Sequence, residues 1–179
     1  KDEHPRADAT LEGMAKLRAV FKKDGSVTAG NASGINDGAA AVVLMEKSAA
    51  QKQGLKPMAR LVSYGFAGVD PKIMGIGPVP ASKIALDKAG LKVSDMDVIE
   101  ANEAFAVQAM AVACDLKFDS KKTNPNGGAV GLGHPIGATG ALITIKALYE
   151  LERIGGKYAL VTMCIGGGQG IAAVYERMQ

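Results

Sequence analysis

Two glycine-rich turns carry the residues best suited to chemistry. In the first, NPNGGAVGLGHPIGATG from Asn124 to Gly140, six glycines surround a single histidine, His134. Neutral imidazole is the commonest general base near pH 7. Pro135 fixes the chain immediately after it, and the glycines permit close backbone approach. Thirty residues on, the second turn, CIGGGQG from Cys164 to Gly170, puts a thiol where a strand should end. Its triple glycine can offer consecutive backbone N–H groups, Gly166 among them, to a developing oxyanion. The two turns are expected to meet. A His and Cys pair beside such a nest suggests thiol-dependent acyl chemistry in one of two forms. Either Cys164 attacks a carbonyl with His134 as base, or Cys164 moves protons for a nucleophile supplied elsewhere. Spacing does not choose between them. The plainer alternatives are a turn histidine satisfied by carbonyls and a cysteine acting as a small buried hydrophobe.

These turns need a scaffold, and the chain can build one. With 179 residues and 47% apolar content it can bury a sizeable core, as one domain or one domain with a partial neighbour. No apolar run approaches the roughly 18 residues a membrane span needs. The longest, Ala104 to Cys114, reads as a buried helix. A net charge of +3 with scattered lysines gives no nucleic-acid footprint, though an anionic small molecule would be welcome. Two cysteines fifty residues apart, with no CxxC and only two histidines, fit neither a disulfide framework nor a metal site. Reduced thiols in a cytoplasmic compartment are expected. The N-terminal run KDEHPR, without an initiator Met, reads as the interior of a longer chain.

Along the chain, Thr10 caps a short amphipathic helix running towards Phe21, followed by the breaker-rich loop Gly25 to Gly38. Ala39 to Met45 reads as a buried strand and Lys47 to Gly54 as a short helix. Beyond Pro57 the periodicities alternate. They predict strand 59–66, helix 81–89, strand 98–101, helix 103–115, a short strand near 122–124, helix 139–153, and strands 158–163 and 171–176. This β-α-β-α-β-α-β-β order implies an α/β fold with a mixed, mostly parallel, five-stranded sheet covered by helices, the last two strands antiparallel. Met74, Asn102, His134 and Cys164 then stand at strand ends, where open α/β sheets bind ligands. The plain alternative for Asn102 is a helix cap, and for Met74 core packing. Gly168-Gln-Gly170-Ile-Ala-Ala173 matches a dinucleotide fingerprint in letters only, since it precedes a strand rather than opening a helix.

With these motifs in family order, the chain resembles the thiolases, which cleave 3-ketoacyl-CoA with CoA or run the reverse condensation. The resemblance rests on Gly30-Asn-Ala-Ser-Gly-Ile-Asn-Asp-Gly-Ala39, Asn102-Glu-Ala-Phe105, Gly127-Gly-Ala-Val-Gly-Leu-Gly-His-Pro-Ile-Gly137 and Cys164-Ile-Gly-Gly-Gly-Gln-Gly170. The stretch from Pro57 to Ala101 most resembles the bacterial β-ketothiolases. The resemblance implies one half of a five-layer αβαβα sandwich, with residues 1–36 ending a loop domain, 37–57 returning to the N-terminal half and 58–179 forming the C-terminal half. It implies that the acylated cysteine lies in the N-terminal half, outside this sequence. His134 then resembles the base that activates it, Cys164 the acid/base at the α-carbon, and Asn102 the holder of a water in the first oxyanion hole. The N–H of Gly166 resembles a donor of the second. Ser33 and Gly34 match a pantetheine-contacting loop, Met74, Ala104 and Phe105 the walls of the tunnel, and Arg6 a contact to the nucleotide end. Acyl-CoA and CoA are implied as substrates with no further cofactor, and a homodimer or homotetramer as the assembly.

Overall fold

The computed structural model describes residues 2–178. Its centre is a sheet of four strands: β1 (Ala59–Gly68), β2 (Val98–Ala101), β3 (Tyr158–Ile165) and β4 (Gln169–Arg177), in the order β1-β4-β3-β2. β2 pairs parallel with β3, and β4 pairs antiparallel with both β3 and β1. Alternation along β2 and β3 sorts two cores. Ile99, Ala101 and Leu160 join Ala81, Ala85, Leu86 and Met96 beneath helix α3 (Pro78–Ala89). Val98, Ala159 and Val161 join Ile143, Ala147 and Leu151 beneath α6 (Thr139–Ile154). Met96, Leu151 and Leu160 are fully buried, each stabilising by about 1.5–3 kcal/mol. Both helices end on a left-handed glycine, Gly90 (φ 66°) and Gly155 (φ 67°), which caps the last turn without a Cβ penalty.

The remaining helices are α1 (Leu11–Ala15), α2 (Lys47–Lys52), α4 (Ala106–Leu116) and the single turn α5 (Ala129–Leu132). Thr10 caps α1 as expected, its hydroxyl accepting from Gly13 N at 3.0 Å. The helix stops at Ala15, short of Phe21, and the chain continues into a bridge between Ala19 and Thr28.

Three expectations change. The sheet has four strands, because the segment near 122–124 keeps only one parallel bridge, Thr123 to Ile99. Two of its three strand pairs are antiparallel, since the C-terminal strand β4 inserts between β1 and β3, so it is mixed but not mostly parallel. Ala39 to Met45 forms no strand: Val43 is 90% and Leu44 83% exposed, and no described segment offers them a ladder or a cover. For the same reason α4 is only partly buried, through Val112 and Leu116 packed on Val79, while Met110 faces outward.

Candidate active site

The carboxyl ends of β2 and β3 run side by side, and the candidate residues gather there. Asn102 follows β2 directly, its N–H donating to Thr162 O at 3.0 Å. Cys164 lies two residues further along β3 and is buried. The glycine-rich segment is fastened to the same edge by polar side chains. Asn124 takes the place of a strand partner at Ala101, accepting from its N–H and donating to its carbonyl, both at 2.9 Å. The Glu103 carboxylate accepts from Asn124 Nδ2 at 3.2 Å and from Val130 N at 3.1 Å. Asn126 donates to Glu150 on α6 at 2.9 Å. The segment therefore reaches His134 along one path.

His134 is itself held from three sides. Its backbone N–H donates to Asn36 Oδ1 at 3.0 Å. Gly133 must be glycine for this to happen: its φ is +98°, and a Cβ there would lie 2.5 Å from that same Asn36 oxygen. The ring Nδ1 lies 2.7 Å from Thr139 Oγ1, in the first turn of α6, and Nε2 lies 3.4 Å from Asn102 Nδ2. The Thr139 hydroxyl also lies 2.9 Å from Pro135 O and has one hydrogen to give. With that hydrogen on Pro135 O, we assign the ring proton to Nδ1, which donates to Thr139 Oγ1, and the lone pair to Nε2, on the side of Asn102 Nδ2. Burial lowers the imidazole pKa below its ordinary 6.5, keeping the ring neutral at pH 7. The result is a neutral base with its basic nitrogen beside a buried amide.

Asn102 is not a helix cap. The cap position of α4 is Phe105, and Asn102 sits 4% exposed with its Oδ1 lacking any hydrogen-bond partner among the described protein atoms. Cys164 shares the α3 face of the sheet with Leu160 and Thr162, whereas His134 approaches over α6. Met163, next to Cys164 but packed on the α6 side, lies beneath Gly140 in the first turn of α6, so the end of β3 carries Cys164 on one face and the approach of His134 on the other. Burial raises the Cys164 pKa, more than a backbone hydrogen bond lowers it, so the resting group is a thiol. After it Gly166 is exposed, and Gly167 and Gly168 adopt φ of 84° and 89°, a turn that L-residues with side chains rarely enter.

The other candidates lie on loops stitched to this edge. Ser33 N donates to Ala104 O at 3.0 Å and Ala106 N to Asn31 O at 2.8 Å, forming a bridge between Ala32 and Phe105. Ser33, Ala104 and Phe105 are thus brought together, with Phe21 edge-on to Phe105. Gly34 abuts the His4 ring, whose Nε2 is 3.2 Å from Val130 O in α5. Arg6 is exposed two residues beyond. Met74 is half-buried in a 3-10 turn (Pro71–Ile76), tied to α4 through Gln108 Nε2 and Gly75 O at 3.0 Å. Cys114, which ends the run expected to be a buried helix and would there be a small buried hydrophobe, is instead exposed on α4.

Asn36 and Thr139 are site residues that spacing did not single out. Asn36 sits within the glycine-rich loop, the one signal available. Thr139 reads as an ordinary helix start. Their roles exist only because the tertiary fold brings them to His134.

The family described as "Thiolase, C-terminal domain" matches residues 55–177, and "Thiolase, N-terminal domain" matches residues 1–48. The chain is 71% identical over 178 residues to beta-ketothiolase BktB of Cupriavidus necator, and 57% identical over 178 residues to acetyl-CoA acetyltransferase of Escherichia coli. In each case 99% of the chain and 45% of the relative are covered. Among solved structures it superposes on the acetyl-CoA acetyltransferase of Bacillus anthracis with a TM-score of 0.97 at 54% identity, over 99% of the chain and 45% of that protein. Human mitochondrial 3-ketoacyl-CoA thiolase in complex with CoA gives 0.92 at 50% identity, with the same coverage. The chain spans a little under half the length of these relatives, and with its motifs, sheet and family matches in agreement it belongs to the thiolase family.

Proposed function

We propose that this chain is the C-terminal half of an acyl-CoA acyltransferase that exchanges acyl groups between CoA thioesters, cleaving 3-ketoacyl-CoA with CoA or condensing acetyl-CoA. The observation that supports it best is the His134 arrangement: a neutral imidazole whose Nε2 lone pair faces Asn102 at the strand edge that also carries Cys164. In this reading His134 takes the proton of a nucleophilic thiol supplied outside this chain, and that thiol becomes acylated. Cys164, a thiol at rest because burial raises its pKa, gives its proton to the enolate leaving in thiolysis; in condensation it first gives that proton to the departing CoA thiolate, and the thiolate so formed takes the α-proton of acetyl-CoA. Asn102 holds a water in the first oxyanion hole, where that water and the His134 ring N–H face the thioester oxygen, and Gly166 N–H donates to the acyl-enzyme oxygen. Removing one such oxyanion donor typically costs a factor of about 10²–10³. Ser33 and Gly34 contact the pantetheine, Met74, Ala104 and Phe105 wall the acyl end, and Arg6 reaches the nucleotide end.

The proposal includes the domain division 1–36, 37–57 and 58–179, completion of an αβαβα sandwich by the N-terminal half, a homodimer or homotetramer, and a cytoplasmic site of action. Among the described residues no helix is long and apolar enough to cross a membrane. A second reading is favoured by the exposed run around Val43 and Leu44: this chain alone is a CoA-binding and structural half, inert until paired.

Labelled acetyl-CoA tests both readings. In the full-length protein the label is expected on one cysteine upstream of this chain, and this chain alone is expected to take none. In the full-length protein, Cys164→Ala should block exchange of the α-protons of acetyl-CoA and leave acetylation largely intact. Label on Cys164 itself would overturn the assignment in favour of a thiol hydrolase or ketoacyl synthase-like role.

A further inference from the structure

Glu100 is the one charged residue inside β2, and nothing in the proposed reaction uses it. It is 1% exposed. One carboxylate oxygen, Oε2, accepts from Lys146 Nζ on α6 at 3.0 Å, and the same ammonium donates to Gly127 O at 2.6 Å. The other oxygen, Oε1, is buried and has no partner among the described protein atoms. Two residues along, on the same face of the strand, Asn102 Oδ1 is in the same condition. Glu100 and Asn102 both line one cavity of about 20 Å³ between β2, the glycine-rich segment and α6, enough for about one water. Thr139 lines it too.

Two buried, unpartnered acceptor oxygens on residues that line one small cavity call for a molecule with two donor hydrogens, and water is the smallest that has them. We infer that Glu100 is a positioning residue: paired with Lys146, it holds a buried water that donates to both Glu100 Oε1 and Asn102 Oδ1, and so fixes which end of the Asn102 amide faces His134. The cause is directional. An amide whose oxygen is held at the cavity has only its Nδ2 left to present to His134 Nε2, where it lies at 3.4 Å. Without the held water the amide can turn over, placing an oxygen against the imidazole lone pair. Lys146, whose side chain is 20% exposed, keeps the carboxylate oriented from the rim. Glu103 and Glu150 are the other charges acting on Glu100, and both have their own partners, Asn124 and Val130 for the first, Arg153 and Asn126 for the second.

A purely structural ion pair, anchoring the Gly127 turn, would give Glu100 the same burial without any link to Asn102. The inference rests on the acyl-transfer reading for its catalytic consequence but not for the water. A crystal structure of the unmodified full-length protein should show one ordered water within hydrogen-bond distance of both Glu100 Oε1 and Asn102 Oδ1. A dry cavity, or a protein donor on either oxygen, overturns the inference. In the same protein Glu100→Gln should lower kcat for acetyl-CoA condensation about tenfold with KM unchanged, and the double variant with Asn102→Ala should be no slower than Asn102→Ala alone. Additive losses overturn it. Full activity in Asn102→Ala would refute the acyl-transfer role of Asn102, and the crystal structure then decides the water bridge by itself.

Discussion

Replacing Thr139 by valine tests whether the His134 tautomer is set by the structure. The two side chains are nearly the same shape, so the change removes one hydroxyl from a residue that is 2% exposed. Pro135 O loses the 2.9 Å bond from that hydroxyl but still accepts from Ala138 N and Thr139 N, both at 2.8 Å. The loss therefore falls on His134 Nδ1–H, whose 2.7 Å acceptor disappears. A net hydrogen bond is worth about 0.5–1.5 kcal/mol, and an unpaired buried donor costs about 1–3 kcal/mol. If that bond is what favours the proton on Nδ1, its removal lets the proton move to Nε2 and lowers the working base population by roughly two- to thirteen-fold. The assay is single-turnover acetylation of the full-length protein by acetyl-CoA, read alongside thermal denaturation. Thr139→Val should slow acetylation by that factor, and Thr139→Ser, which keeps the hydroxyl, should restore it. Wild-type acetylation in Thr139→Val, or an equally slow Thr139→Ser, refutes the tautomer assignment.

The lowered pKa of His134 sets a pH limb. Because burial favours the neutral ring, kcat/KM for acetylation should hold steady as pH falls through 6.5 and decline only below it; a limb at or above 6.5 contradicts the desolvated site. The same shift makes the folded state lose stability as pH drops below 6.5, where the unfolded chain takes up the proton first. Gly133→Ala should cost about 1–3 kcal/mol, because φ of +98° strains any L side chain and the new methyl displaces Asn36 from His134 N. Chemical denaturation and acetylation rate should both fall, and no change in either would show that the turn relaxes freely. Expressed alone, this chain should bind a hydrophobic dye and self-associate through Val43, Leu44 and neighbouring apolar residues, and supplying the N-terminal half should suppress both; a dye-silent monomer on sedimentation contradicts an interface there.

The sequence by itself determined the elements with strong local signals. The apolar strands at 98–101 and 158–163, the second running on to Ile165 in the structure, the long amphipathic helix from Thr139 and the glycine-terminated helices follow from periodicity and capping, which act over a few residues. It also marked the two glycine-rich turns, because so many residues without side chains have no use in a plain helix or strand. Strand order was not legible, since β4 enters between β1 and β3 through pairings more than a hundred residues apart in the case of β1. Nor was the fate of Ala39 to Met45, whose apolar pattern states a need for cover but not where the cover comes from. Only the tertiary structure decided that Asn102 is a buried amide facing His134 rather than a cap, that Thr139 and Asn36 orient the imidazole, and that Glu100 shares a cavity with Asn102. The reason is physical: local periodicity specifies which face of an element is buried, whereas hydrogen-bond partners across the fold depend on where remote backbones stop, to within a few tenths of an ångström.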